Sequence, residues 1–145
     1  MPKAQRSVRI ARPVSEVFAF FADPANETTW RGASVREFTA QGPIAVGTRV
    51  RQVLSGPMGR SIDADIEITG LEQDVRYAFR GVAGPVRPVG EYTFRPVEEG
   101  TEVTFRLEAP LSGLRKVFLG NSVEKAMNAE MACLDTARSV LEGPA

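Results

Sequence analysis

Ser61-Ile62-Asp63-Ala64-Asp65-Ile66-Glu67-Ile68 alternates one polar residue with one apolar residue along its whole length. A period of two is the mark of a strand with one dry face and one wet face. Ile62, Ala64, Ile66 and Ile68 share the dry side, and Ser61, Asp63, Asp65 and Glu67 the acidic one. The rhythm continues on both sides of this stretch. From Ser34 to Ala109, Gly and Pro punctuate the chain about every 8 to 12 residues, the pattern of an antiparallel meander. Six strands are predicted: Ser34 to Ala40, Thr48 to Leu54, Ser61 to Leu71, Arg76 to Val82, Val89 to Val97 and Thr101 to Ala109. In the last, Val103, Phe105 and Leu107 alternate with Glu102, Thr104, Arg106 and Glu108. Gly56-Pro57-Met58-Gly59 and Glu98-Glu99-Gly100 carry the turn chemistry of hairpins.

Before the meander, Gln5 to Ala11 reads as a short strand in which Val8 and Ile10 alternate with charged neighbours. A helix follows. Pro13 suits its first turn, Ser15 and Glu16 favour its positive end, and Val14, Val17, Phe18 and Phe21 recur at i, i+3, i+4, i+7. Asp23-Pro24 stops it, and Pro24 to Trp30 forms a second short helix or turn.

After the meander, Ser112 to Glu142 is rich in helix formers and has no proline. Leu119, Val123, Ala126, Met127, Leu134, Ala137 and Leu141 share one stripe, whereas Leu114, Val117 and Phe118 lie on roughly the opposite side. Asn121-Ser122-Val123-Glu124 reads as an Asn cap with Glu at the third helical position. A break near Gly120 followed by a helix of about 20 residues is therefore expected. The competing reading is one continuous helix whose first turns touch a neighbouring element or subunit.

Composition narrows the chemistry. The chain has 145 residues, 43% of them apolar, which suits one compact domain spanning residues 1–145. Eighteen basic residues balance 18 acidic ones, which argues against gripping nucleic acid or an anionic membrane by bulk charge. There is no histidine. A His general base, a Ser-His-Asp or Cys-His pair and a His-ligated metal are therefore excluded. With one cysteine, Cys133, thiolate metal sites and internal disulfides are excluded too. No apolar run has signal-peptide or membrane-spanning length, and a cytoplasmic protein without integral membrane association is expected. Phosphate-cradle motifs are missing, and neither a cofactor nor a metal is expected.

Strand, two short helices, six-stranded meander and long C-terminal helix is the order of an α+β helix-grip fold. The local residues agree: Ala11-Arg12-Pro13-Val14-Ser15-Glu16-Val17-Phe18-Ala19-Phe20-Phe21-Ala22-Asp23-Pro24, the tryptophan at 30, Val46-Gly47-Thr48-Arg49-Val50 and Gly100-Thr101-Glu102-Val103-Thr104. Over essentially its whole length the chain resembles the SRPBCC or START-like superfamily, of polyketide cyclase/dehydratase and lipid-transport type. The resemblance implies a curved antiparallel sheet of about seven strands wrapped around the long helix and enclosing a cavity for an apolar or aromatic molecule. It does not fix the chemistry.

On that fold the dry strand faces would wall the cavity. Tyr77 and Phe79 fall on one face of their strand, and Tyr92 and Phe94 on one face of the next, with Val50 and Ile66 on neighbouring strands and Val123, Met127 and Met131 on the helix. Two tyrosines among aliphatic side chains give the few polar anchors usual in a ligand pocket, unless each hydroxyl simply meets the rim or a backbone carbonyl. Gln52 belongs to the inward set with Thr48, Val50 and Leu54. Buried, its amide would need a protein, water or ligand partner, since leaving it unpaired costs on the order of 1 to 3 kcal/mol. Glu130 lies between Met127 and Leu134 in the apolar stripe. A lone carboxylate there would have a raised pKa and could move protons; pairing with an arginine at the cavity mouth, or a helix rotation of about 40°, would remove that property. Trp30 would close one end of the cavity or anchor its loop.

The leading expectation is a binding module for a small hydrophobic or aromatic molecule. The alternative is a cyclase/dehydratase-like enzyme in which Tyr77 or Tyr92 polarises a carbonyl and Glu130, with Gln52 or a bound water, moves the proton. A third reading is a protein-interaction module of co-chaperone type; exposed Leu114, Val117 and Phe118 would serve it, or would form a homodimer contact.

Overall fold

The structure, a computed structural model, describes residues 3–32, 34–84, 86–110 and 114–143, without the side chains of residues 57 and 114–122. The chain runs through β1 (Lys3–Ile10), α1 (Val14–Ala22), a 3₁₀ turn (Pro24–Asn26), α2 (Glu27–Trp30), β2 (Val35–Thr39), β3 (Arg49–Ser55), β4 (Ser61–Asp63), β5 (Ile66–Glu72), β6 (Arg76–Gly81), β7 (Val89–Val97), β8 (Gly100–Glu108) and α3 (Leu114–Glu142). The strands form one antiparallel sheet in the order β1-β8-β7-β6-β5-β3-β2, with β4 paired to β3. It is a curled half-barrel closed by the long C-terminal helix, with the short helices following β1, as a helix-grip fold requires.

The hairpin read from the alternating stretch keeps a single register, Val53 opposite Asp63 and Val50 opposite Ile66, yet the strand is interrupted at Ala64-Asp65. The cause is a substitution of side-chain bonds for one ladder bond. Ala64 N–H still donates to the Gln52 carbonyl at 2.8 Å. The Asp65 carboxylate accepts from Gln52 N–H at 3.3 Å, and the Gln52 side-chain amide donates to the Ala64 carbonyl at 2.9 Å. Short polar side chains that bond to nearby backbone compete with the ladder in this way. Irregular pairing between Val35 and Glu37 and between Ile68 and Gly70 adds to the curl.

The outer face carries a ladder of charges, including Arg80 with Glu67, Arg76 with Glu91 and Arg49 with Asp65. Such exposed pairs each contribute about 0 to 1 kcal/mol. The inner face is apolar. At Gly90 a β-carbon would run into the Phe79 ring, so only glycine lets that ring lie across β7.

The expected break in the C-terminal helix is corrected: α3 continues through Gly120 without interruption. One glycine costs a helix about 1 kcal/mol relative to alanine, too little to end it among good helix formers. The side chains of Leu114, Val117 and Phe118, expected as an interaction patch, lie outside the described residues. The buried stripe runs through Val123, Met127, Met131, Leu134 and Ala137, while Ala126 is exposed and Glu130 stands at the edge. Among the described residues no helix is long and apolar enough to cross a membrane.

The far end of α3 is fastened to the start of the chain. Arg6 reaches the Met131 carbonyl at 3.2 Å and both Asp135 carboxylate oxygens at 2.7 Å. Arg12 caps the Glu142 carbonyl at 2.8 Å, and the Glu142 carboxylate accepts from Ala11 N–H at 3.0 Å.

Candidate functional site

The site grows from the corner after α1. Asp23 ends that helix and its carboxylate accepts from Ala25 N–H at 3.0 Å, which turns the chain into α2. Asn26 donates its side-chain amide to the Phe20 carbonyl at 3.1 Å and fixes the corner. In α2 the positions i and i+4 fall on one face, so Glu27 and Arg31 meet beside Trp30. Arg31 Nη1 donates to Glu27 Oε2 at 2.9 Å.

From α3, Glu130 meets the same guanidinium. Arg31 Nε donates to Glu130 Oε2 at 2.8 Å and Nη2 donates to Oε1 at 3.1 Å. The side chains of Glu27, Arg31 and Glu130 are only 3%, 11% and 14% exposed, so this is a buried triad joining α2 to α3. Glu130 is thus held by an arginine; it does not stand as a lone carboxylate against a dry wall. The rings of Trp30 and Phe38 flank Arg31, their centres 5.9 and 5.8 Å from its Cζ.

Burial pushes the Glu27 carboxyl up to about 7, against the pull of Arg31. Burial also opposes the charge of Arg31, but Glu130 and then Glu27 outweigh it and hold its pKa above the usual arginine value. The two shifts agree physically, because Arg31 is paired with two carboxylates whereas Glu27 is paired with one cation and repelled by Glu130.

An aromatic wall adjoins the triad. Tyr77 and Tyr92 face each other across β6 and β7, their rings 5.6 Å apart and nearly perpendicular. Tyr92 stacks on Phe105 at 4.1 Å, and Phe21 packs edge-on against Trp30 at 5.0 Å. Both phenols are driven up by burial, with Arg31 and Glu27 acting on each, and stay protonated. The Trp30 indole N–H is buried and meets no acceptor among the described residues.

Of the residues singled out in the sequence, Trp30, Val50, Ile66, Tyr77, Tyr92, Phe94, Val123, Met127 and Met131 lie in one continuous core, with half-buried Phe79 packed against it. Gln52 is buried, and its amide bonds to the Ala64 carbonyl. Two open clefts lie elsewhere, one along Lys3–Gln5 and Arg106–Glu108 and one around Thr39–Gln41, Thr48 and Arg51; neither is lined by a candidate residue. Among the described residues no group of three His, Cys, Asp or Glu side chains is placed to hold a metal ion. Glu27 and Arg31 are the pair that periodicity missed. Their i, i+4 spacing around the lone tryptophan is the available signal.

The family model described as "Polyketide cyclase / dehydrase and lipid transport" matches residues 1–138. The chain belongs to this family of the START-like superfamily. No curated protein matches the sequence. Among solved structures, this family member is similar to a protein from Thermus thermophilus, with 22% identity, TM-score 0.78 and 94% of each chain covered. It is also similar to a protein from Rhodobacter sphaeroides, with 21% identity, TM-score 0.69 and 97% and 94% covered. A third likeness is to the di-domain ARO/CYC BexL from the BE-7585A biosynthetic pathway, with 16% identity and TM-score 0.76, covering 99% of this chain and 50% of that one. At these identities the likeness establishes the shared fold. The family's broad role is ligand binding or cyclisation.

Proposed function

We propose that this family member binds a small hydrophobic or aromatic molecule between the concave face of its sheet and α3. The observation that carries the reading is the buried triad of Glu27, Arg31 and Glu130 set beside two neutral phenols and the Trp30 indole N–H, which has no acceptor among the described residues. A domain that needs only a core gains little from burying two carboxylates, because well-packed apolar residues usually serve as well or better. Perturbed ionisable groups beside an aromatic wall are the common makeup of a ligand site. The family description, which includes lipid transport, supports the same reading.

Native mass spectrometry of freshly purified protein, with titration of Trp30 fluorescence by a panel of apolar aromatics, tests it. A co-purifying small molecule, or a saturable change in Trp30 emission, is expected. Neither, over repeated preparations, would overturn the proposal.

A second reading, a cyclase/dehydratase-like enzyme, is favoured by the Glu27 carboxyl near pH 7. General bases work best when their pKa lies near the operating pH. Glu27 would take a proton from a carbon beside a carbonyl while Tyr77 or Tyr92 hydrogen-bonds the developing enolate oxygen. Turnover of a polyketone substrate should then rise with pH around a midpoint near 7 and be lost in Glu27→Gln with binding retained. Unchanged turnover in that variant would remove Glu27 from the chemistry.

A further inference from the structure

The triad carries an uneven count of charges. A guanidinium has five N–H donors. Glu130 engages Nε and Nη2 of Arg31 and Glu27 engages Nη1, while the flanking rings of Trp30 and Phe38 cover the group. Three of the five N–H groups of Arg31 are thus taken within the protein, and its one positive charge is already shared between two carboxylates. The other titratable groups that face the triad are Tyr77 from β6, Tyr92 from β7 and Cys133 from α3. Burial holds all three in their neutral forms. Arg31 is the one cation that acts on any of these groups among the described residues. With Glu27 ionised, two carboxylates stand against one guanidinium, and the cluster has one negative charge in excess.

We propose that the site selects a guest whose polar end is neutral, a carbonyl or hydroxyl, and rejects carboxylate-bearing molecules such as free fatty acids and aromatic acids. This rests on the binding reading above and adds the guest's charge to it. An anion would approach two carboxylates in a medium of low dielectric, and the one guanidinium there already shares its charge between them. A neutral carbonyl can accept from a phenol or from the Trp30 N–H, and a hydroxyl can donate to a carboxylate oxygen.

Trp30 is the sole tryptophan, so its fluorescence reports the site directly. The test compares 2-naphthol with 2-naphthoate, which match in shape and keep their different charges at both pH 8 and pH 5.5. At pH 8 the naphthol should bind tighter by at least about tenfold, the ratio that a modest like-charge repulsion produces. The gap should narrow at pH 5.5, where Glu27 is protonated, and in Glu27→Gln at pH 8. Glu130→Gln removes the same excess charge and serves if the first variant does not fold. Equal binding of the two at pH 8, a gap insensitive to both pH and substitution, or an acidic molecule co-purifying with the protein would overturn the inference alone. If neither compound binds and nothing co-purifies, the binding reading falls and this inference falls with it.

Discussion

Replacing Arg31 by methionine should lower the unfolding free energy by roughly 3 to 5 kcal/mol at pH 8, the usual cost of removing one partner from a buried ion pair. The geometry explains the size. Arg31 is the shared partner of Glu27 and Glu130, so its loss leaves two carboxylates in one nearly dry space. Both side chains are largely withdrawn from solvent, Glu27 at 3% and Glu130 at 14% exposed. The deficit should shrink at pH 5, because unpaired buried carboxylates bind protons and cease to repel. Arg31→Lys should lie between, as an ammonium cannot reproduce the forked bonds to Glu130 and the single bond to Glu27. Replacing all three members together, by Glu27→Leu, Arg31→Met and Glu130→Leu, should recover most of the loss. Urea unfolding at both pH values checks this. A single Arg31→Met variant within about 1 kcal/mol of wild type at pH 8 would mean that the triad is effectively solvated.

The pH profile of the unmodified protein should carry the signature of Glu27. Its folded-state pKa is raised from the ordinary 4.5 to about 7, so the folded state holds a proton that the unfolded chain has released. The resulting stabilisation is complete below pH 4.5 and is lost as pH rises through about 7. At 1.36 kcal/mol per unit, the loss amounts to about 3 kcal/mol. Glu102 and Glu142 act in the opposite sense. Hydrogen bonds from Arg95 and from Ala11 N–H hold their carboxyls below the ordinary value, so the stability they add is present above pH 4.5 and lost on acidification. The two windows do not overlap, and stability should peak near the point where they meet. In Glu27→Gln the decline between pH 5 and 8 should vanish while the acid limb remains. Thermal melts across that range decide the matter; a flat wild-type profile would contradict the desolvation of Glu27.

The strands were legible because their information is local. In β7 the alternation runs from Gly90 to Arg95, and the predicted limits Val89–Val97 coincide with the observed strand. Ala64-Asp65 was not legible as an interruption, because the apolar face continues through Ala64 and the cause is a pair of side-chain bonds to Gln52. Gly120 shows a different difficulty. An apparent cap and a glycine suggest an ending locally, but a helix is sustained by what packs along it. Periodicity brought Tyr77 and Tyr92 to one face, since both lie on regular strands. Glu130 stood out as an anomaly and pairing with an arginine was among its readings, but which arginine was not legible, because the partner lies 99 positions away. Glu27 and Arg31 fall in and beside a helix of 4 residues, too short to display a periodic face.

The clasp between the two ends of the chain bears on how the protein is made. β1 pairs with β8, and Arg6 and Arg12 hold α3 at residues 125 and 130 positions away. On the ribosome, the first strand must therefore wait, with its edge unpaired, until residues 100–142 have been synthesised. Long-range closure of this kind slows folding and exposes strand edges to other chains. The charged residues of β1, Lys3, Arg6 and Arg9, are all basic, as is the nearby Arg12, and mutual repulsion would keep nascent copies apart during that interval. The residues that fasten the finished molecule thus also guard the unfinished one.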